Sequence, residues 1–209
     1  MSETKFASGV IGLATFQNKL VLSQLPEEDY VKRERVAEDL HGNPVHEDLV
    51  ALAAGMLGLW SGKIDEQDGE TISVAAPAAF GREFTEETTT QHLPGIVLHS
   101  DQLRGQPIYA GRIEQIRPPT RVLFWAYALP MIEFTWEQMN QLAARQKPGE
   151  ELWELAVDRA AEQLQANWQQ VRPTSRLAIQ AMLAHQQQPR VWQVPTVFNS
   201  RRLSGFNHA

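Results

Sequence analysis

The sequence predicts an α/β fold, and three stretches carry the prediction. Two short apolar runs, residues 8–15 and 19–24, flank the polar pair Gln17-Asn18, the pattern of a β-hairpin. Residues 78–89 place Phe80 and Phe84 at i and i+4, the buried stripe of an amphipathic helix. Residues 121–129, Arg-Val-Leu-Phe-Trp-Ala-Tyr-Ala-Leu, are too continuously apolar for a strand with one wet face.

Each further element has a local cause. Asn18 tolerates the left-handed dihedral that a tight hairpin turn requires. Pro26 followed by Glu27, Glu28 and Asp29 is a helix-start signal, which predicts a helix over residues 30–40. A second short helix is expected over 49–57, so residues 25–58 should form a helical insert. Thr71-Ile72-Ser73-Val74 suits a short strand, and Pro77 should open the Phe80/Phe84 helix. Residues 96–98 and 107–110 are strand-like. Helices are expected from 150 toward Trp168 and again after Arg172-Pro173-Thr174-Ser175, giving a helical C-terminal region over 150–187 and a tail over 188–209. No internal repeat is visible, and 1–209 is read as a single domain.

Composition excludes several function classes. The chain has 209 residues, 43% hydrophobic and 21% charged, an ordinary globular balance. A net charge of -6 argues against a general nucleic-acid binder. It does not exclude an anionic substrate, because a bound cation supplies positive charge. With no cysteine there is no disulfide, thiolate metal site or cysteine nucleophile. No apolar run is long enough to cross a bilayer and no leader pattern is visible, so a cytoplasmic protein with no membrane partner is expected. The six histidines lack metal-ligand spacing, and no Gly-x-Ser-x-Gly elbow is present.

The chemistry concentrates in Arg82-Glu83-Phe84-Thr85-Glu86-Glu87. On a helix, Glu83, Glu86 and Glu87 stand at i, i+3 and i+4 and project to one side. Three crowded carboxylates repel one another unless a cation lies between them, and a hard ion such as Mg²⁺ suits such oxygen donors. With charged residue types at roughly 6% each, this order arises by chance in about 0.3% of chains of this length. The alternative is a solvated acidic face with Arg82 paired to a neighbour.

Gly62-Lys63-Ile64-Asp65, Gly69-Glu70 and Arg82-Glu83-Phe84-Thr85-Glu86-Glu87 together resemble the box of the Nudix hydrolase superfamily. The resemblance implies an α/β/α sandwich around a mixed sheet and Mg²⁺- or Mn²⁺-dependent hydrolysis of a nucleoside diphosphate derivative. It implies Glu83, Glu86 and Glu87 as metal ligands and Arg82 as the group that orients them. It also implies Gly62, Lys63 and Glu70 as substrate-binding residues and Glu154 as a general base. The expected assembly is a homodimer. The chain departs from the usual box in three places. Ser61-Gly62 replaces Gly-Gly, residues 72–76 look like an insertion that stretches the loop, and Thr88-Thr89-Thr90 follows the final acids. The order Arg117-Pro118-Pro119-Thr120-Arg121, then Gly149-Glu150-Glu151-Leu152-Trp153-Glu154 and Arg172-Pro173-Thr174-Ser175-Arg176-Leu177, is similar to the coenzyme A diphosphatase branch, which implies coenzyme A or its esters as substrate. The competing reading is a Nudix-fold module that binds a nucleotide without cutting it. Such a module usually loses one acid of the set, and this chain keeps all three. Trp60, Tyr109, Trp125 and Trp153 are the candidates for stacking on a base.

Overall fold

A computed structural model describes residues 4–25, 31–53, 55–146, 152–160, 162 and 168–187. The tail expected over 188–209 lies outside the described residues. The elements in chain order are β1 (Thr4–Phe16), β2 (Lys19–Gln24), β3 (Arg33–Glu38), β4 (Val50–Ala51), β5 (Leu57–Gly58), β6 (Ser61–Ile64) and α1 (Ile72–Glu87). They continue with β7 (Ile108–Arg117), β8 (Thr120–Glu133), α2 (Trp136–Ala143), β9 (Trp153–Ala156) and α3 (Pro173–Gln187).

The strands form one mixed sheet in the order β4-β3-β7-β8-β1-β2-β5, with β6 also paired to β1 and β9 to β2. β1 runs parallel to β8 and antiparallel to β6 and β2. The predicted hairpin closes where Phe16 faces Lys19, with Gln17 and Asn18 both at positive φ. The predicted central strand is β8, flanked by β7 and β1.

Period-two alternation sends β1 into two cores. Ile11 and Leu13 join Leu20 and Leu22 and pack with Leu177, Ala178, Ala181 and Met182 of α3. Val10, Ala14 and Phe16 join Val21 and pack with Ala76, Phe80 and Phe84 of α1 and with Leu142 of α2. Helices therefore cover both faces of the sheet. Gly12 makes the α1 contact possible: a β-carbon there would lie 2.0 Å from Phe80 Cζ.

Five sequence expectations are corrected. Residues 33–38 form strand β3, not a helix. Glu34 and Val36 are its inward residues, and an inward glutamate hides the alternation that marks a strand. Residues 50–51 and 57–58 are short strands, so the helical insert over 25–58 is replaced by sheet; residues 26–30 and 54 lie outside the described residues. Trp153–Ala156 is strand β9, because pairing with β2 overrides the helix preference of Glu, Leu and Ala. Thr71-Ile72-Ser73-Val74 is not a strand. Helix α1 begins at Ile72 and carries Pro77 inside it. The buried stripe Ile72, Ala75, Ala76, Ala79, Phe80, Phe84 has helical spacing throughout, so residues 72–76 extend the helix and do not stretch the loop. Residues 96–98, read as strand-like, form no strand, although Ile96 and Leu98 are buried against the α1 core.

Gly12→Ala should destabilise the protein by about 1–3 kcal/mol through overpacking against Phe80. Urea denaturation checks this, and Phe80→Leu in the same chain should recover part of the loss. Equal stability of Gly12→Ala and the parent would refute the contact.

Candidate functional site

The residues that bring charge together lie at the junction of β6, the loop after it, and α1. The loop is compact. Asp68 reaches back to the Asp65 backbone N–H at 2.8 Å, closing a single turn over Glu66–Asp68. Asp68 is thereby buried and aimed at α1.

Arg82 knits this junction. Its Nε and Nη2 donate to the two oxygens of Asp68 at 3.2 and 3.0 Å, and Nη2 also donates to the Lys63 carbonyl at 3.0 Å. Nη1 donates to Glu83 Oε1 at 2.6 Å and lies 3.9 Å from Glu86. Asp68 first, against the cost of burial, and then Glu83 hold the guanidinium pKa above its ordinary value. The helix could not approach β6 without Gly62, whose β-carbon would lie 2.0 Å from Glu83 Cγ. Gly62 thus serves a close approach of the Glu83 side chain.

Glu83 and Glu87, one turn apart, line a cavity of about 250 Å³ together with Ser61, Gly62 and Lys63. Val10, Ile11, Ile113, Phe124 and Ala126 form its apolar floor. The wall away from α1 carries Lys32, Gln115, Arg172 and Thr174. Behind that wall lies Glu34, 0% exposed. It accepts from Arg172 Nε (3.3 Å) and Nη2, from Thr174 Oγ1 (2.7 Å) and from Gln115 Nε2 (2.9 Å). Burial alone would raise the Glu34 pKa. The Arg172 charge and these hydrogen bonds win, and hold the group below the ordinary carboxylate value.

Of the sequence-predicted residues, Gly62, Lys63, Glu83 and Glu87 meet at this cavity. Arg82 braces it from behind. The Glu86 side chain is 62% exposed and stands beside Arg82. Glu70 is exposed ahead of α1 and is not among the lining residues; Asp68 of the same loop is the acid that braces Arg82. Glu154 lies on strand β9, not on a helix. Its carboxylate is ion-paired to Lys19 at 2.6 Å, and it does not line the cavity. Among the described residues, no three His, Cys, Asp or Glu side chains converge as they stand, since Glu83 is turned to Arg82. The donor chemistry still suits a hard cation, because two carboxylates one helical turn apart reach the same cavity.

The stacking candidates divide by burial. Trp60 is core, edge-on to Phe84 at 5.3 Å, and Tyr109 packs on Tyr127 at 5.7 Å. Trp125 lies under the Arg112 guanidinium at 4.8 Å, and Trp153 is exposed on β9. None of the four lines the cavity; Phe124 does. Sequence reasoning missed Glu34, Arg172 and Gln115. Glu34 carried a signal, being the one acid between Arg33 and Arg35 on the inward side of an alternating segment. A larger groove of about 850 Å³ between residues 93–99 and α2 contains none of the Arg82 cluster. Among the described residues no helix is long and apolar enough to cross a membrane.

No protein-family model matches the chain, and no curated protein matches its sequence. Among solved structures, the chain is similar to the solution structure of the E. coli ORF135 protein at 14% identity and a TM-score of 0.42, over 91% of this chain and 96% of that one. A likeness that loose carries no argument about fold or function.

Two outcomes follow from the ion pairs. Asp68→Asn should cost about 1–3 kcal/mol, because Arg82 loses its charged partner at a buried position; chemical denaturation checks it. Glu34 has a folded-state pKa below its ordinary value of 4.5, so its contribution is present above that value and is lost as pH falls through the folded-state pKa. The melting temperature should drop on acidification below about 4.5, and Glu34→Gln should flatten that limb. Equal acid limbs in both proteins would refute it.

Proposed function

We propose that the protein is a metal-dependent hydrolase of the Nudix type, with an α/β/α sandwich fold, that cleaves the diphosphate linkage of a nucleoside diphosphate derivative. One observation carries this reading. The Arg-Glu-x-x-Glu-Glu segment lies on a single helix whose Glu83 and Glu87 line a cavity, and cationic donors, Lys32 and Arg172, stand on another wall of it.

Mg²⁺ or Mn²⁺ would be held by Glu83 and Glu87, with Glu86 on the same side of the helix. When bound, it would neutralise diphosphate oxygens and lower the pKa of a bound water. The chain's own part is positional. Asp68 and the Lys63 carbonyl lock Arg82, and Arg82 in turn fixes the orientation of Glu83. Gly62 lets β6 lie against Glu83, so the carboxylate is delivered at the cavity wall. The apolar floor offers a surface for an uncharged ring, and Lys32 and Arg172 offer donors to its substituents. A carboxylate that is not engaged by the cation would take the proton from water. Glu154, the base that the resemblance implies, is tied to Lys19 and does not line the cavity, so its placement does not support that role.

Glu83→Gln and Glu87→Gln should each abolish Mg²⁺-dependent release of phosphate or nucleotide while leaving the circular dichroism spectrum unchanged. Glu86→Gln should weaken the metal requirement less. Millimolar Mg²⁺ or Mn²⁺ should raise the melting temperature of the parent, since a ligand that binds only the folded state stabilises it. Undiminished turnover in both cavity variants would sink the catalytic assignment. Nucleotide binding without turnover in the parent would favour the binding-module reading.

A further inference from the structure

Glu34 shapes the cavity without being one of its lining residues. It stands on β3 with no exposed surface, and its three partners, Gln115, Arg172 and Thr174, do line the cavity. An ionised carboxylate accepts hydrogen bonds and donates none. Each neighbour must therefore turn a donor toward it. Arg172 turns Nε and Nη2, Thr174 its hydroxyl hydrogen at 2.7 Å, and Gln115 its amide nitrogen at 2.9 Å.

The result is a wall whose donors and acceptors are held in place. With one amide N–H given to Glu34, Gln115 keeps its carboxamide oxygen and its second N–H for a ligand. With its hydrogen committed, Thr174 has lone pairs to offer. Arg172 and Lys32 have only donors, since guanidinium and ammonium groups contain no acceptor. A ligand group that satisfies this wall presents a strong acceptor beside a donor. Cationic donors pair best with an exocyclic carbonyl oxygen, and a ring N–H completes the pairing with Gln115 or Thr174. The apolar floor, with Phe124 in it, suits a heterocycle.

We propose that Glu34 is a positioning residue that sets this cavity to take an oxo-bearing nucleobase, with a ring carbonyl beside a ring N–H as in guanine or uracil, in preference to adenine, which has no carbonyl oxygen. The inference rests on the cavity being the seat of a nucleoside diphosphate derivative. It narrows that class and points away from adenine-containing substrates such as coenzyme A.

Binding and turnover separate the two readings. Calorimetry of the whole chain without metal should find GDP and UDP bound ~10-fold or more tightly than ADP, the scale on which a site built for a polar group rejects an analogue that lacks it. With Mg²⁺, the same order should hold in kcat/KM for GTP, UTP and ATP. Glu34→Gln, whose amide both donates and accepts, should free Gln115 and Thr174 to reorient. The preference should then shrink to less than about threefold, and KM for GTP should rise by a larger factor than kcat falls. Gln115→Met keeps the inference testable should Glu34→Gln fail to fold: it removes the acceptor and should weaken GDP more than ADP. ADP binding as tight as GDP and UDP, no binding of any of the three, or a preference that survives both variants would overturn the inference. A GDP and UDP preference with no turnover of any nucleotide would support it and overturn the hydrolase reading instead. Turnover of ATP or coenzyme A as efficient as that of GTP would overturn the inference and leave the hydrolase reading standing.

Discussion

From Val10 to Phe16 strand β1 is buried on both faces, and the rest of the molecule is arranged by that constraint. Its alternate residues must enter two different cores, so α1 and α2 lie on one side and α3 on the other. It must also satisfy its backbone along both edges, which it does through parallel pairing with β8 and antiparallel pairing with β6 and β2. Gly9, Val10 and Ile11 of β1 then become part of the cavity lining, between the acids of α1 and the polar wall at Arg172 and Thr174. Gly12 lets Phe80 cross the strand, and that crossing fixes the height at which α1 runs past β6.

Two arginines do related work at that cavity in different surroundings. Arg82 is partly exposed and makes hydrogen bonds to three residues of strand, loop and helix, Asp68, Lys63 and Glu83, with the Asp65 carboxylate 3.6 Å away. Its value lies in geometry, because it ties the loop and the end of β6 to the helix. Arg172 is buried with Glu34. Removing two charges from water costs several kcal/mol per ion, so such a pair is weak evidence for stability and makes better sense as a device that fixes orientation. The full set of partners around Glu34 meets that description, since each partner is held with a donor turned to the carboxylate.

Buried carboxylates also recur where β3, β7 and β8 meet. Glu114 on β7 accepts from Arg35 and Arg121 at 2.6 and 2.5 Å, and those partners, against the effect of burial, lower its pKa as Arg172 lowers that of Glu34. The two acids stand on neighbouring strands, with Arg35 opposite Glu114 and Glu34 opposite Gln115. Charge alternation along β3 is thus divided between the two sides of the sheet. The local sequence, read one residue at a time, looks like a mixed-charge helix for this reason.

The features legible in the sequence alone are local and periodic. The β1–β2 hairpin, the central β8 strand, the Phe80/Phe84 stripe and the placement of Arg82, Glu83 and Glu87 on one helix follow from spacing and turn chemistry that need no distant partner. The remaining features depend on partners far away in the chain. β3 is a strand because Glu34 has Arg172 and Thr174 to meet, and β9 is a strand because β2 offers it an edge. Helix α1 begins five residues before Pro77 because Ile72, Ala75 and Ala76 have a core to enter. The acids of the box were legible, since one helix turn sets their spacing. The opposite wall of the cavity was not, since Lys32, Gln115 and Arg172 are joined only when the sheet brings three distant segments together.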